Sequence, residues 1–350
     1  MKKFFNSLLK FKNHKNISYL LVVLTYIIIE ILTHAFRMPR LFTSLLVPTS
    51  CYIVMALSLN LVVGISGELS LGHAGFMAIG AFSGVVVSGL LQDIVTNEII
   101  RLIIAMLVGS IIAGIFGYII SVPVLKLSGD YLAIVTLAFG QIIKSLINNI
   151  FLGIDSSGLH FSFVNNNITL NGGRMLLSGP MGATDTAKIS NFTSGFILIL
   201  ITLFIIYSLM NSKYGRAIMA ARDNVIAAES IGINISKTKT LAFVISAILA
   251  GAAGCLYALN YSTLQPSKFD FNTSILVLVY VVFGGLGSIN GTIIATTILY
   301  VLPELLRSLQ DYRMLIYAIV LIIMMQLSNS NSFKQYIDKY KNKLLRKEIS

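Results

Sequence analysis

Long apolar stretches recur along almost the whole chain, and each is about as long as a helix that crosses a lipid bilayer. Such a helix needs about 20 mainly apolar residues. Charged residues make up only 11% of the 350 residues, against about 25% in an ordinary soluble domain. The sequence therefore excludes a water-soluble fold and predicts an all-α, polytopic transmembrane helix bundle. The candidate membrane segments are residues 18–36, 43–63, 69–91, 99–124, 131–152, 192–211, 240–261, 273–306 and 312–327.

Two glycine-rich breaks interrupt this pattern, one between Asn60 and Phe76 and one from Gly284 to Gly291. Residues 273–306 are too long for a single span, so we predict two shorter helices there and about ten membrane segments in all. Each break is either a pair of half-helices, whose backbone groups can bind a polar solute, or a tight turn at one membrane face. The residues that would line a substrate pathway are Asn60, Gly64, Gly67, Gly72, His73, Gly75, Gly284, Gly285 and Gly287.

The net charge of +12 lies mostly outside the apolar stretches. Basic residues cluster in an N-terminal tail (1–17), in a loop (212–239) and in a C-terminal tail (328–350). Because Lys and Arg flank spans on the cytoplasmic side, we expect both tails and this loop to be cytoplasmic. A membrane domain of residues 18–327 then places the turn-rich segment 153–191 outside the cell. The same charge predicts contact with anionic membrane lipid and not with nucleic acid.

Several stretches carry small residues one helical turn apart, which permits close helix packing in a membrane. Three such ladders are expected to pack the bundle tightly, and they carry no information about a substrate. They are Ala105, Gly109, Ala113 and Gly117; Gly80, Gly84 and Ser88; and Ala247, Gly251 and Cys255.

Motifs for catalysis and nucleotide binding are absent from the sequence. There is no Gly-Lys pair and hence no P-loop, and the four histidines form no HExxH helix. Cys51 and Cys255 lack metal-ligand spacing. We therefore expect a protein that is not an enzyme and holds no metal or cofactor itself. Glu68, His73 and Lys144 leave two alternatives open: an ion-coupled secondary transporter, or a membrane hydrolase with Glu68 and His73 as its acid/base pair.

Five motifs, in their order and spacing, resemble those of the LivM-type permeases of branched-chain amino acid ABC importers. The resemblance covers about residues 45–310. A cytoplasmic stretch, Gly215–Ala217 followed by Ala227–Ile233, resembles the loop through which such permeases contact their ATPases. The five motifs are Asn60-Leu61-Val62-Val63-Gly64, the stretches Leu71–Ala81 and Gly129–Gly140, Gly179-Pro180-Met181-Gly182, and Gly284–Gly291.

The resemblance implies a heteromeric importer in the cytoplasmic (inner) membrane that carries leucine, isoleucine and valine. Its other parts would be a LivH-like sister permease, two ATP-binding subunits (LivG/LivF-like) that hold the ATP and magnesium, and an extracytoplasmic solute-binding protein. Urea and other amide permeases share much of the signature, so a different polar solute is the alternative substrate. The residues implied in ATPase coupling are Arg222, Asp223, Ala227, Ala228, Glu229 and Gly232.

Overall fold

The computed structural model of the chain describes residues 2–36, 39–125, 129–155, 158–164 and 173–306, with isolated positions at 168, 170 and between 312 and 322. Eight of the described helices are long and apolar enough to cross a membrane, which confirms the polytopic helical fold. The helices are α1 (Lys2–Phe36), α2 (Arg40–Asn60), α3 (His73–Leu90), α4 (Glu98–Val124), α5 (Asp130–Asn148), α6 (Phe192–Asn211), α7 (Lys213–Asp223), α8 (Val225–Ser230), α9 (Ile235–Ala258), α10 (Phe271–Gly284) and α11 (Ile289–Leu305).

The predicted split of residues 273–306 is present, because α10 ends at Gly284 and the shorter apolar helix α11 begins at Ile289. The last candidate segment, 312–327, falls largely outside the described residues, as does the tail 328–350. The basic segment 1–17 is helical from Lys2 onward, and α1 continues from it into the apolar stretch. The chain divides into two compact units, Met1–Thr296 and Thr297–Ser350, and the candidate site belongs to the first.

Two helix boundaries differ from the ends of the predicted spans. α9 begins at Ile235, before the predicted 240, because the Asn234 side chain accepts a hydrogen bond from the Lys237 N–H at 3.0 Å. α5 ends at Asn148, before the predicted 152, and a strand begins at Ile150. Apolar content alone therefore placed the ends of these two spans wrongly.

Helices α3, α4 and α9 pack at backbone distance, because small residues line the faces that meet. A Cβ atom on Gly80 would lie 2.1 Å from the carbonyl oxygen of Gly251, and one on Gly84 would lie 2.3 Å from Sγ of Cys255. A Cβ atom on Gly109 would lie 2.9 Å from the carbonyl oxygen of Gly80. The predicted close packing is confirmed. These pairs also show that α3 runs parallel to α9, with α4 antiparallel beside them.

A small antiparallel sheet follows α5, in the segment that the sequence predicted to be turn-rich. Its strands β1 (Ile150–Asp155), β2 (Gly158–Phe163) and β3 (Arg174–Ser178) pair in the order β2-β1-β3. Asparagines end α5, and the β-branched and aromatic residues that come next favour a strand. The segment after β3 joins the α9–α10 connection, because the backbones of Ala183 and Leu264 pair. We call the described residues between 150 and 191, together with residues 259–270, the sheet end of the bundle.

Candidate functional site

The first glycine-rich break lies inside the bundle. After α2 the chain makes a π-helical turn at Leu61–Ile65, continues without helix through residues 66–72, and resumes as α3 at His73. Since Gly80 meets Gly251, His73 lies level with Val244, about 14 Å beyond the start of α9. Non-helical backbone therefore runs beside the first third of α9, as the half-helix interpretation predicts.

The second glycine-rich break is a tight turn, as the other interpretation predicts. Residues 285–288 connect α10 to α11, and the Ser288 N–H donates to the Gly285 carbonyl at 2.9 Å. Gly285 and Gly287 have φ angles of +89° and +78°, which favour glycine. The two breaks thus differ in kind, although their glycine content is similar.

Asn60 joins the two breaks. Its Oδ1 accepts a hydrogen bond from the Gly287 N–H at 2.8 Å, and its Nδ2 donates to Thr292 Oγ1 at 3.1 Å and to the Ser288 carbonyl at 3.3 Å. The Asn60 side chain is buried, so these bonds replace water for its amide. Gly64 adds a backbone contact, because a Cβ atom there would lie 2.2 Å from the nitrogen of Gly287.

The basic loop reaches the same place through Arg222. Its Nη1 donates to the Gly64 carbonyl at 3.2 Å, and its Nε and Nη2 donate to Asp223 Oδ1 at 3.0 and 2.8 Å. The aliphatic part of Arg222 covers Gly67, where a Cβ atom would lie 2.7 Å from the arginine Cγ. The sequence had assigned Gly64 and Gly67 to a pathway and Arg222 to coupling, and the structure brings the three together.

A second charged contact links the first break to α9. Lys239 Nζ forms an ion pair with Glu68, and their side chains are only 16% and 11% exposed. Because both side chains are largely buried, removal of either one would leave the other as an unpaired buried charge, which destabilises a fold. We call residues 61–72, 212–239 and 285–288 the basic end of the bundle.

The remaining pathway candidates pack against α5. A Cβ atom on Gly72 would lie 1.9 Å from the Thr136 carbonyl oxygen, and one on Gly75 would lie 3.0 Å from Cα of Gly140. His73 Nε2 and Ser58 Oγ are 2.7 Å apart, within the buried core. Because Glu68 pairs with Lys239 and His73 with Ser58, these contacts do not support an acid/base pair.

The coupling candidates beyond Arg222 are mostly exposed. In α8, Ala228 is buried, whereas Ala227 and Glu229 are exposed, and Gly232 follows the helix with a φ of +85° and open space around it. Asn224 separates α7 from α8, since its side chain accepts a hydrogen bond from the Ala227 N–H at 3.0 Å. These residues form a bent, solvent-facing helical loop.

The sequence prediction missed the apolar part of this loop. Ile226 and Ile231 are 79% and 74% exposed, and Val225 is 41% exposed, beside the predicted Glu229. Exposed aliphatic side chains next to charged ones are typical of a surface that a protein partner covers. The signal was available in the sequence as Val225, Ile226 and Ile231 on either side of Glu229. We call Val225, Ile226, Glu229 and Ile231 the loop surface.

These features define a polytopic membrane protein whose broken helices are tied to a charged loop, a construction typical of transport proteins. The chain belongs to the family described as branched-chain amino acid transport system / permease component, whose profile matches residues 41–325. The description of this family is that of a transport permease and not of an enzyme.

Three relatives illustrate the similarity. The chain is 36% identical to the high-affinity branched-chain amino acid transport system permease protein LivM of Salmonella typhimurium and 35% identical to that of Escherichia coli, in each case over 60% of this chain and 52% of the relative. It is 26% identical to a probable branched-chain amino acid transport permease protein LivH of Methanocaldococcus jannaschii, over 55% of this chain and 58% of the relative. The chain spans about half the length of the curated relatives it matches. No solved structure matches it significantly.

Proposed function

We propose that this chain is a transmembrane permease subunit of an ATP-binding-cassette importer for leucine, isoleucine and valine, in the cytoplasmic (inner) membrane. The observation that carries the proposal is the contact of Arg222, in the basic loop, with the Gly64 carbonyl, in the first break. A loop that holds a broken helix can transmit the motion of an attached subunit into the bundle. Family membership supports the same function.

In this proposal the loop surface binds an ATPase subunit. Its exposed isoleucines give apolar contact, and the nearby Glu229 and Asp223 give charge to pair with that subunit. ATP and magnesium are bound by two separate ATP-binding subunits, LivG/LivF-like, because this chain has no P-loop. Rigid-body motion of those subunits would move Arg222 and so shift the first break, which gives alternating access.

The topology follows from the basic residues. We propose that the basic end and both termini are cytoplasmic and that the sheet end is extracytoplasmic. The sheet end would then meet a solute-binding protein, and a LivH-like sister permease would complete the membrane part. Exposed Leu159, Phe161 and Phe163 on the edge strand β2 offer an apolar contact for the solute-binding protein.

The proposed substrate rests on the family description and on the names of the relatives. Urea or another amide is the alternative solute, and an ion-coupled carrier is the alternative mechanism. We propose that the first break lines the pathway, because its backbone is non-helical within the bundle.

The assembled complex provides the first test. The chain is purified from native membranes in mild detergent, its co-purifying subunits are identified, and ATP hydrolysis is measured in nanodiscs with a loaded binding protein. We expect P-loop ATPases to co-purify, and we expect leucine, isoleucine and valine to stimulate hydrolysis. Stimulation by urea alone would correct the substrate. Isolation of the chain by itself, with uptake driven by an ion gradient, would contradict the importer.

The coupling role is tested by two arginines on α7. Arg222 donates to the Gly64 carbonyl, whereas Arg216 donates to the Asn211 carbonyl beside its own helix. We expect R222A to lower substrate-stimulated ATP hydrolysis and leucine uptake about tenfold, with normal assembly, because coupling contacts contribute free energies of this order. R216A is the control and should keep at least half of both activities. Equal activity of R222A and R216A would contradict the assignment.

A further inference from the structure

The start of α3 carries buried hydrogen-bond donors that have no acceptor among the described residues. Ser70 is only 1% exposed, and its Oγ has no hydrogen-bond partner in the part of the chain that the structure describes. The backbone N–H groups of Gly72 and His73, at the first positions of the helix, are likewise buried and donate to no described atom. A buried polar group without a partner destabilises a fold, so such a cluster calls for a ligand or another function.

The neighbouring donors do have partners, which sets the cluster apart. The Leu71 N–H donates to Thr136 Oγ1 at 3.0 Å, and the Ala74 N–H donates to Ser274 Oγ at 3.1 Å. α5 and α10 therefore supply hydroxyl groups to fix this backbone on both sides. The Ser70 hydroxyl and the Gly72 and His73 N–H groups are left as donors in a segment that is otherwise held in place.

We propose that these three donors bind the carboxylate group of the transported amino acid, an inference that rests on the proposed function. Amide groups at a helix N-terminus, with the helix dipole behind them, favour a negative charge. Glu68, two residues before Ser70 in the sequence, forms an ion pair with Lys239, which neutralises its charge. The Ser70 hydroxyl can donate the third hydrogen bond to a carboxylate oxygen.

The residues on either side of Ser70 have exposed or partly exposed side chains. Leu69 is 36% exposed and Leu71 is partly exposed, whereas Ser70 between them is buried. The cluster thus lies one residue from the surface of the chain, about 14 Å along the bundle from the start of α9. A carboxylate held there would be inside the bundle, where a small shift of the first break opens or closes its surroundings.

Removal of the hydroxyl tests the inference, because ligand binding and folding respond in opposite directions. We expect S70A, assembled in the whole complex, to melt about 2 °C higher without substrate, since an unpaired buried hydroxyl is lost. We expect its affinity for leucine to fall about fivefold. The matched control is S121A, since Ser121 is also buried but donates to the Tyr118 carbonyl at 2.9 Å. This control should retain the wild-type leucine affinity.

Two leucine analogues identify the group that is bound. 4-Methylpentanoate keeps the carboxylate and lacks the amine, and 3-methylbutylamine keeps the amine and lacks the carboxylate. We expect S70A to weaken binding of the first about fivefold and to leave the second unchanged. Equal loss for both analogues, or wild-type leucine affinity in S70A, would overturn the carboxylate site. A wild-type complex that binds 4-methylpentanoate but does not transport leucine would instead overturn the proposed function alone.

Discussion

The sheet end and the basic end of the bundle are fastened by different groups. At the sheet end, the backbones of Ala183 and Leu264 form two hydrogen bonds, of 3.0 and 2.9 Å. At the basic end, side chains make the connections: Asn60 binds the second break, and Arg222 binds the Gly64 carbonyl. Paired backbones fix one geometry, whereas side-chain contacts can be exchanged singly. We therefore expect conformational change at the basic end.

The largest effect is expected from G182A at the sheet end. Gly182 has a φ of +74°, and a Cβ atom there would lie 1.9 Å from the Leu264 carbonyl oxygen. Strain and the loss of the Ala183–Leu264 pairing should together lower stability by about 3 kcal/mol. Thermal melting of the detergent-solubilised protein and amide hydrogen exchange at the pairing measure the loss.

Gly158 offers the matched control for this change. Its φ is +127°, but no atom lies within 4 Å of the position that a Cβ would take. G158A therefore adds backbone strain without the clash, and it should lower the melting temperature much less than G182A. If the two variants melt alike, the Leu264 contact does not fasten the sheet end.

An intermediate effect on stability, and a larger one on transport, is expected from N60L. Leucine has a similar volume but leaves the Gly287 N–H without its buried acceptor, at a cost of about 2 kcal/mol. Because both breaks lose their connection, leucine uptake by the assembled complex should fall about tenfold. N211L is the control, since the exposed Asn211 amide donates only within its own helix, to Tyr207. Normal uptake by N60L would remove the basic end from the mechanism.

The fold could be predicted from the sequence because apolar length and small-residue spacing are local properties. The helices that contain Gly80 and Gly251 were predicted from those properties alone, and they form the packed core. The strand at Ile150 was missed, because its apolar residues follow directly on an apolar helix and extend the same stretch. Periodicity alone does not separate a short buried strand from a helix end.

The sequence predicted substrate-pathway residues and ATPase-coupling residues as two separate sets. In the structure, Gly64 and Gly67 of the first set and Arg222 of the second lie together. Gly64 and Arg222 are separated by 158 positions in the chain, and no local pattern indicates that they touch. Ser70 was not among the predicted residues, because an unpaired hydroxyl is recognised only when all its neighbours are known. Sequence motifs thus identified the breaks and the loop, while tertiary contacts determined how they meet.

The smallest effect is expected from R174Q at the sheet end. This variant compares the two ends most directly, because it removes the same kind of contact that R222A removes at the basic end. Arg174 resembles Arg222, because it donates to a backbone carbonyl, that of Gly89 at 2.6 Å, and pairs with an acid, Asp93 at 3.2 Å. The sheet end keeps its backbone pairing without this arginine, and Asp93 is 78% exposed. We therefore expect a stability loss of about 1 kcal/mol or less and unchanged leucine uptake.

The stability loss is measured as the change in melting temperature of R174Q at low and at high salt, and the effect on function is measured as leucine uptake. K188Q is the control for the loss of an exposed charge. Loss of an arginine that fastens a rigid end should change neither by much, whereas R222A should lower uptake about tenfold at similar stability. If R174Q lowers uptake as strongly as R222A, arginine–carbonyl contacts at both ends take part in the conformational change. The basic end would then lose its special role, and motion would have to be shared along the first break and α3, from Gly64 to Gly89.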